Sequence, residues 1–537
     1  MIRIRQDLLA GLSVAGLLIP EAVAYSTIAG LPPAHAIVAA VAGLIIYALA
    51  GQSRFAITAP TASSAAILAA TVASFAPINP AARIALAGGA ILLTGGFFIA
   101  ASVARLGYLA NFISRPVLRG FALGLGITIV IKQLPLVFGI AGVSGSPFHV
   151  TKLLVQRAHE FNPISTTLGV ASLLLLVGLK RLPSIPSAFI VLVLGIGVSY
   201  RFNLSAHSVA VVGSIDFAQL TPGWPDLSRA EWLRLAELAL PLFLIIYAES
   251  WGSMRTFALR YKESLNANRE LLALGAANLV SSVVQGMPVG AGFSATSANE
   301  AAGAQSRHAG WIAAAAIVVL MITGGRYIAE LPEAILASVV IAALLHALDP
   351  RPLLKLFHIK RDEYVGIATA VAVMGLGVLD GMLLAVLLSL AAMVQRRSRP
   401  SIVVLGELGE SRDYVDIARH SEARVRSGIS VVRPQEPMFF ANAERILVAI
   451  SELAEHDPVL RVIVLSLEES SDLDSTAIEA LIEFATRQHQ AGRIIFLARC
   501  KDEVRDVLRK ALSNSRPLLS HFYWSVADAV TAAESIR

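Results

Sequence analysis

Two acids stand alone inside long apolar runs, Glu21 in LLIPEAVAYS and Glu249 in LIIYAESWGS. On insertion scales an ionised carboxylate at the centre of a bilayer costs roughly 2.5 to 3.5 kcal/mol, so each must be protonated, paired or bound to a cation. Roughly forty residues after each lies a polar, small-residue stretch between apolar neighbours, as corresponding positions of two inverted repeats would have it. The first runs from Arg54 to Ala70 (RFAITAPTASSAAILAA), the second from Gly286 to Gly310 (GMPVGAGFSATSANEAAGAQSRHAG). Irregular polar backbone at membrane depth is tolerated only where it is buried in protein or lines a cavity. A short extended run that opens into a half-helix presents free N–H groups and the positive end of a helix dipole, which together attract an anion.

The expected site therefore has its two half-helix N-termini near Thr61 and Thr296, with Ala59, Thr61, Phe293, Ser294, Ala295 and Thr296 lining it. The competing account is that these small residues only allow close helix packing. A bare carboxylate beside a bound anion repels it, and a proton or Na⁺ on that carboxylate removes the repulsion. That is the physical content of symport. Glu249 is assigned the coupling role and Glu21 a tuning role; the alternative is a neutral acid or a pair with an arginine such as Arg255. Glu300, a little over a turn beyond Thr296, reads as structural, and Lys132 as a snorkelling residue outside the site.

The elements that must position these groups follow from apolar length. At about 20 residues per crossing helix, the first half holds spans near 8–29, 34–50, 83–104, 115–138, 164–180 and 184–200, with an interrupted segment at 56–74. The second holds 235–256, 268–284, the interrupted 290–304, then 309–325, 331–348, 363–379 and 381–397. Seven and seven make fourteen, an even number, so both termini share one side. Arg3, Arg5, Arg396, Arg397 and Arg399 assign that side to the cytoplasm. The N-terminal run lacks a small-residue cleavage site and reads as the first span. The segment 202–227 reads as an external or interfacial loop.

Of 537 residues, 55% are hydrophobic and only 15% charged, and the mean hydropathy is +0.67, which defines a polytopic membrane protein. Residues 1–400 carry 28 Lys and Arg against 17 Asp and Glu, while 401–537 carry 16 against 21. The positive excess thus belongs to membrane-flanking loops and gives no reason to expect nucleic acid. A separate soluble domain begins near QRRSRP at 395–400, with strands expected at 414–418, 429–433, 462–467 and 494–497. Helices are expected at 441–455, 475–490, 501–513 and 526–535, an α/β alternation. Cys500 is the only cysteine, and His35, His308 and His346 have no metal-cluster spacing, so no metal or cofactor is expected. No nucleophile elbow or P-loop is present, which argues against an enzyme.

The segments LLIPEAVAYSTIAGLPP, YALAGQSRFAITAPTASSAAILAA, LGYLANFISRPVLRGFALGLGITIVIKQLPLVFGI and the stretch from Gly286 together resemble the SulP family of sulfate permeases and anion exchangers. VIVLSLEESSDLDSTAIEALIEF resembles that family's STAS domain. The resemblance implies an α-helical polytopic protein with a seven-plus-seven inverted repeat, core and gate domains, a C-terminal α/β STAS domain, dimerisation and elevator-like alternating access. The domain division is then 1–400 for transport and 401–537 for a cytoplasmic STAS domain that can take a cytoplasmic partner. Many members have Gln at the position of Glu21, and an Arg where this chain has Ala295; without that fixed charge the family name does not set the substrate. The expected function is H⁺- or Na⁺-coupled movement of a small anion, of the bicarbonate, sulfate or carboxylate class, across the inner membrane. The alternatives are a nucleobase:cation symporter and a membrane-anchored STAS signalling protein. STAS relatives can be phosphorylated on the turn corresponding to Asp472–Thr476, which makes Ser475 and Thr476 regulatory candidates, beside a plain helix cap at Asp474 or Ser475.

Overall fold

The computed structural model describes residues 2–108, 115–143, 145–179, 187–213, 215–218, 220–345, 348–351, 353–355, 363–398, 401–409, 411–511 and 521–536. They form two compact units, Met1–Ser389 and Leu390–Arg537. Residues 110–114 of the ANFISRPVLRGF block, His346, Arg399 and the end of the expected helix at 501–513 lie outside the described residues, as do the side chains of Arg3, Arg396 and Arg397.

The first half of the membrane unit runs α1 (Ile2–Ala29), α2 (Pro33–Ala50), β1 (Thr58–Pro60), α3 (Ala62–Ala73), α4 (Pro80–Val103), α5 (Arg115–Val137), α6 (Pro147–Gln156), α7 (Pro163–Leu179) and α8 (Ser187–Phe202). The second runs α9 (Arg229–Tyr261), α10 (Ala267–Val283), β2 (Val289–Ala291), α11 (Phe293–Ala301), α12 (His308–Ile328) and α13 (Glu333–Leu344), followed by the helices Glu363–Leu376 and Val378–Ser398. Among the described residues Ile4–Ala29, Pro33–Ala50, Pro80–Val103 and Pro116–Val137 are by length and composition able to cross a membrane unaided; the other apolar helices are shorter. Local chemistry sets the starts. Pro33, Pro80 and Pro147 occupy first-turn positions, where the missing N–H costs nothing. Asn79 caps α4 by accepting from Ala82 N at 2.8 Å, and Ser228 with Glu231 forms a capping box that starts α9 six residues before the apolar run begins. α6 was not among the expected elements, although Ser146 as cap and Pro147 after it announce a helix start.

Two packing groups arise. α1, α2, α4, α9, α10 and α12 pack on one another with the interrupted elements among them, while α5, α7, α8, α13 and Glu363–Leu376 form the second group. Small residues set the distances. A Cβ on Gly120 would lie 2.0 Å from the Gly366 carbonyl, and one on Gly124 would lie 2.7 Å from that of Ala370, so α5 and Glu363–Leu376 touch backbone to backbone.

The two interrupted stretches meet. β1 and β2 pair antiparallel with Thr58 opposite Ala291, Ala59 opposite Gly290 and Pro60 opposite Val289. Buried side chains hold both strands. Asn278 on α10 accepts from Val289 N at 3.0 Å and donates to Val289 O at 2.9 Å, and Ser250 on α9 accepts from Ala291 N at 2.9 Å. On the β1 side, Asn299 donates to Phe55 O at 3.0 Å, and Ser64 to Pro288 O at 3.2 Å.

The C-terminal unit is a six-stranded sheet in the order β4-β3-β5-β6-β7-β8: β3 (Ile402–Glu407), β4 (Tyr414–Asp416), β5 (Ile429–Pro434), β6 (Val462–Ser466), β7 (Ile494–Ala498) and β8 (Phe522–Tyr523). β5 to β8 are parallel, and β3 joins antiparallel to β4 and β5. β6 is buried along its whole length because helices cover both faces. Ile463 and Leu465 face Ala443–Glu455 and Ser475–Gln490; Val462 and Val464 face Val526–Glu534. β3 and β8 were not expected, the first because it follows the break at Pro400 at once, the second because two residues carry no periodicity.

Candidate functional site

A cavity of about 300 Å³ lies where the half-helices meet, between the two packing groups. Glu21, Tyr25, Thr61, Ser63 and Glu249 face it from α1, α3 and α9, Phe293 to Ala295 from α11, and Phe121, Leu125 and Leu344 from α5 and α13. Ala59 and Gly290, opposite each other in the strand pair, close its floor. Five of the six expected lining residues are therefore brought together with both glutamates. Thr296 is not. It is fully buried behind the site, and its hydroxyl accepts from Ile57 N at 3.4 Å, because α11 begins at Phe293, three residues earlier than expected.

Counting outward from the Ala59–Gly290 pair makes Thr61 the equivalent of Gly292 and Ser63 the equivalent of Ser294. The hydrogen bonds obey that symmetry. Ser294 on α11 donates to Glu21 Oε1 at 3.2 Å, and Ser63 on α3 donates to Glu249 Oε2. Each glutamate thus serves the half-helix of the other repeat. Thr61 also donates to Glu249 Oε2, at 3.4 Å. Arg255 is exposed, and the hydrogen bonds of Glu249 go to hydroxyls. Among the described residues no Lys or Arg lines the cavity.

The two N-termini differ. Thr61 caps α3 in a capping box with Ser64, accepting from Ser64 N at 3.2 Å while Ser64 Oγ accepts from Thr61 N at 3.1 Å. Gly292 caps α11 without a side chain, and the first helical bond there is from Thr296 N to Gly292 O, so the amides of Phe293, Ser294 and Ala295 point onward unpaired by the helix. A Cβ on Gly292 would come 3.1 Å from Thr61 Cγ2, so glycine is what lets the two ends approach. Phe293 is 46% exposed and stacks on Phe257 at 5.6 Å.

Ser63 and Tyr25 were missed from the sequence. Ser63 was legible as the equivalent of Ser294, and Tyr25 as the residue one turn beyond Glu21 on the same helix face; among the described residues its hydroxyl has no hydrogen-bond partner. Glu300 lies outside the cavity, in an ion pair with Arg260 at 3.0 Å and accepting from Tyr261 at 2.6 Å, as a structural role requires. His35 bonds the Gln285 carbonyl and His308 the Ser306 hydroxyl; no group of three or more metal-ligating side chains occurs among the described residues. In the C-terminal unit Asp474 caps its helix, accepting from Ala477 N at 2.9 Å, and Ser475 and Thr476 are exposed.

A helical membrane unit built of two inverted halves around a cavity, followed by a small α/β unit, is the architecture of a membrane-spanning anion transporter with an appended C-terminal domain. The chain belongs to the sulfate permease family, whose model matches residues 4–370, and a STAS domain matches residues 420–529. It is 33% identical over 536 residues to a probable sulfate transporter of Mycobacterium tuberculosis, covering 98% of this chain and 95% of that protein. It is 30% identical over 467 residues to human solute carrier family 26 member 6, covering 82% of this chain and 61% of that one. The murine Slc26a9 anion transporter, solved in an inward-facing state, superposes with a TM-score of 0.91 at 22% identity over 99% of this chain and 92% of that chain. The transmembrane domain of a cyanobacterial bicarbonate transporter, BicA, superposes with a TM-score of 0.63 at 22% identity, covering 73% of this chain and 97% of that chain. The family is one of membrane-spanning transporters.

Proposed function

We propose that this chain is a secondary active transporter of a small anion of the bicarbonate, sulfate or carboxylate class, coupled to H⁺ or Na⁺. The observation that carries the reading is the pairing of an uncapped α11 N-terminus with two hydroxyl-bonded glutamates in a cavity without Lys or Arg among its described lining residues. The amides of Phe293, Ser294 and Ala295 hold the anion, with Ala59, Thr61, Ser63 and Tyr25 completing the wall. Two carboxylates near one anion are repulsive unless at least one is neutralised, so anion and cation enter together. Glu249, with hydroxyls from Ser63 and Thr61 around it, is the coupling residue, since the same three side chains can hold a proton or contribute oxygen ligands to Na⁺. Glu21, bonded to one serine, adjusts the site. Thr296 supports β1 from behind.

In this reading residues 1–400 make fourteen spans and 401–537 form a cytoplasmic STAS domain, with both termini in the cytoplasm and the protein dimeric in the inner membrane. The α1–α4 and α9–α12 group carries the anion past the α5, α7, α8 and α13 group as an elevator. Exposed Ser475 and Thr476 offer a modification point for a cytoplasmic partner. The test is radiolabelled uptake of bicarbonate, sulfate, chloride and a dicarboxylate into proteoliposomes with an imposed proton gradient and then an imposed Na⁺ gradient. Stimulation of one anion by one gradient supports the reading and identifies both substrates; uptake indifferent to either gradient overturns coupling.

A further inference from the structure

A second cavity, of about 730 Å³, continues along the same three helices that line the first. α1 lines the central cavity with Glu21 and Tyr25 and the second with Thr27 and Ile28; α3 lines the first with Ala62 and Ser63 and the second with Ala66 to Ala73; α5 lines the first up to Gly126 and the second from Thr128 onward. The second cavity therefore lies beyond the central site, at the end of α1 remote from its N-terminus.

Its polar groups are of the opposite character to those of the central site. Lys132 is exposed into it and has no ion pair or hydrogen bond among the described residues. On the adjoining positions of α5, Gln133 is 5% and Thr128 3% exposed. Gln133 lines the cavity beside Lys132, and Thr128 Oγ1, one turn before Lys132, is buried with no hydrogen-bond partner among the described residues. A buried hydroxyl left unpaired is costly, so Thr128, one turn from an ammonium with no ion pair among the described residues, calls for something polar in the cavity. The one carboxylate there, Glu333, forms no ion pair with Lys132 among the described residues and sits in the first turn of α13, where the helix dipole offsets its charge.

We propose that this cavity is a second anion-binding station on the transport path, in which Lys132 supplies the attractive charge and Thr128 and Gln133 the hydrogen bonds, so that a small anion is captured there before it meets the two carboxylates of the central site. This rests on the anion-transport reading. The station is the entry vestibule on the face of the membrane opposite the N-terminus, and Lys132 is a binding residue of it, not a snorkelling anchor.

Charge-selective thiol labelling of the full-length chain in lipid nanodiscs tests the station without any transport. Cys500 is 4% exposed and its thiol is pushed up to about 12 by burial, so it reacts little, and Cys500→Ser removes it altogether. In that background, the rates at which Gln133→Cys reacts with an anionic sulfonatoethyl and a cationic trimethylammonioethyl methanethiosulfonate are compared with those of a free thiol. A favourable potential from one nearby charge should raise the anionic-to-cationic ratio by about tenfold at low salt, and added Lys132→Gln should return it to parity. A ratio unmoved by Lys132→Gln overturns the proposal, as does a cysteine unreactive to both reagents because lipid fills the cavity. Uptake of labelled sulfate and bicarbonate into cells supplies the functional arm. Lys132→Gln should raise the KM for influx about three- to tenfold at unchanged maximal rate, and Lys132→Arg should restore it. A lost maximal rate not rescued by Lys132→Arg would mark a structural lysine. If neither anion is taken up by the unmodified protein, the transport reading fails while the labelling ratio still decides whether anions gather at Lys132.

Discussion

The two half-helices that face the central cavity are equivalent in place and different in chemistry. α3 has twelve residues, and its Thr61–Ser64 box pairs the third amide of its first turn, that of Ser64. α11 has nine, and its first turn is open because Gly292 has no side chain to close it. Both have a serine at the second helical position, and both serines serve a glutamate of the opposite repeat. In the proposed mechanism this duplicated frame is divided into a cation end, where hydroxyls gather on Glu249, and an anion end, where free amides gather at Phe293 to Ala295. The difference lies almost wholly in Thr61 against Gly292 and Ser64 against Ala295.

Four experiments sharpen or break that division. The largest effect should come from the glutamates: Glu249→Gln should lower gradient-driven uptake by about tenfold or more, a barrier change of about 1.4 kcal/mol or above, and abolish its response to the imposed cation gradient. Glu21→Gln should keep that response and change only KM. Equal loss of coupling in both would mean that the two ends are not specialised. Next come prolines at the first helical position, where each cap is already extended and the ring fits. Phe293→Pro, compared with Phe293→Ala, removes an anion-facing N–H and should raise the substrate KM by about tenfold, the value of one charge-assisted hydrogen bond. Ala62→Pro should change it by less than about twofold. Third, Asn278→Ala strands the buried N–H and C=O of Val289 and should cost about 1–3 kcal/mol for each group, read as a lowered unfolding midpoint in detergent. Smallest is Thr61→Ala, which opens the closed end of α3 and should cost about 1 kcal/mol by the same measurement.

Much of this arrangement was legible beforehand because its signals are compositional. Glu21 and Glu249 stand out in apolar runs, and a Gly-rich polar stretch at membrane depth has to be enclosed by protein or line a cavity. What stayed hidden depends on pairing and on where each helix starts. The antiparallel β1–β2 contact joins residues far apart in the chain, and three-residue strands have no periodicity to announce them. Ser63 is lost in the run TASSAA, where every residue is small. The start of α11 was placed too late because a glycine cap leaves no side-chain signature, and Thr296 was consequently assigned to the cavity instead of to the support of Ile57. In the C-terminal unit the strands buried on both faces were readable from their continuous apolar runs, whereas β3, which follows Pro400 at once, and the two-residue edge strand β8 were not.

The register centred on Ala59 and Gly290 has a consequence for how such a chain can arise. One repeat alone would own a strand with no partner and a half-helix whose serine faces no acid. Its missing pieces are supplied by an upside-down copy, so the smallest complete ancestor would be two identical short chains inserted in opposite directions. Such a pair cannot differentiate, because any change appears in both. Only after fusion into one polypeptide could one end carry a glycine where the other carries a threonine, and the two ends come to differ.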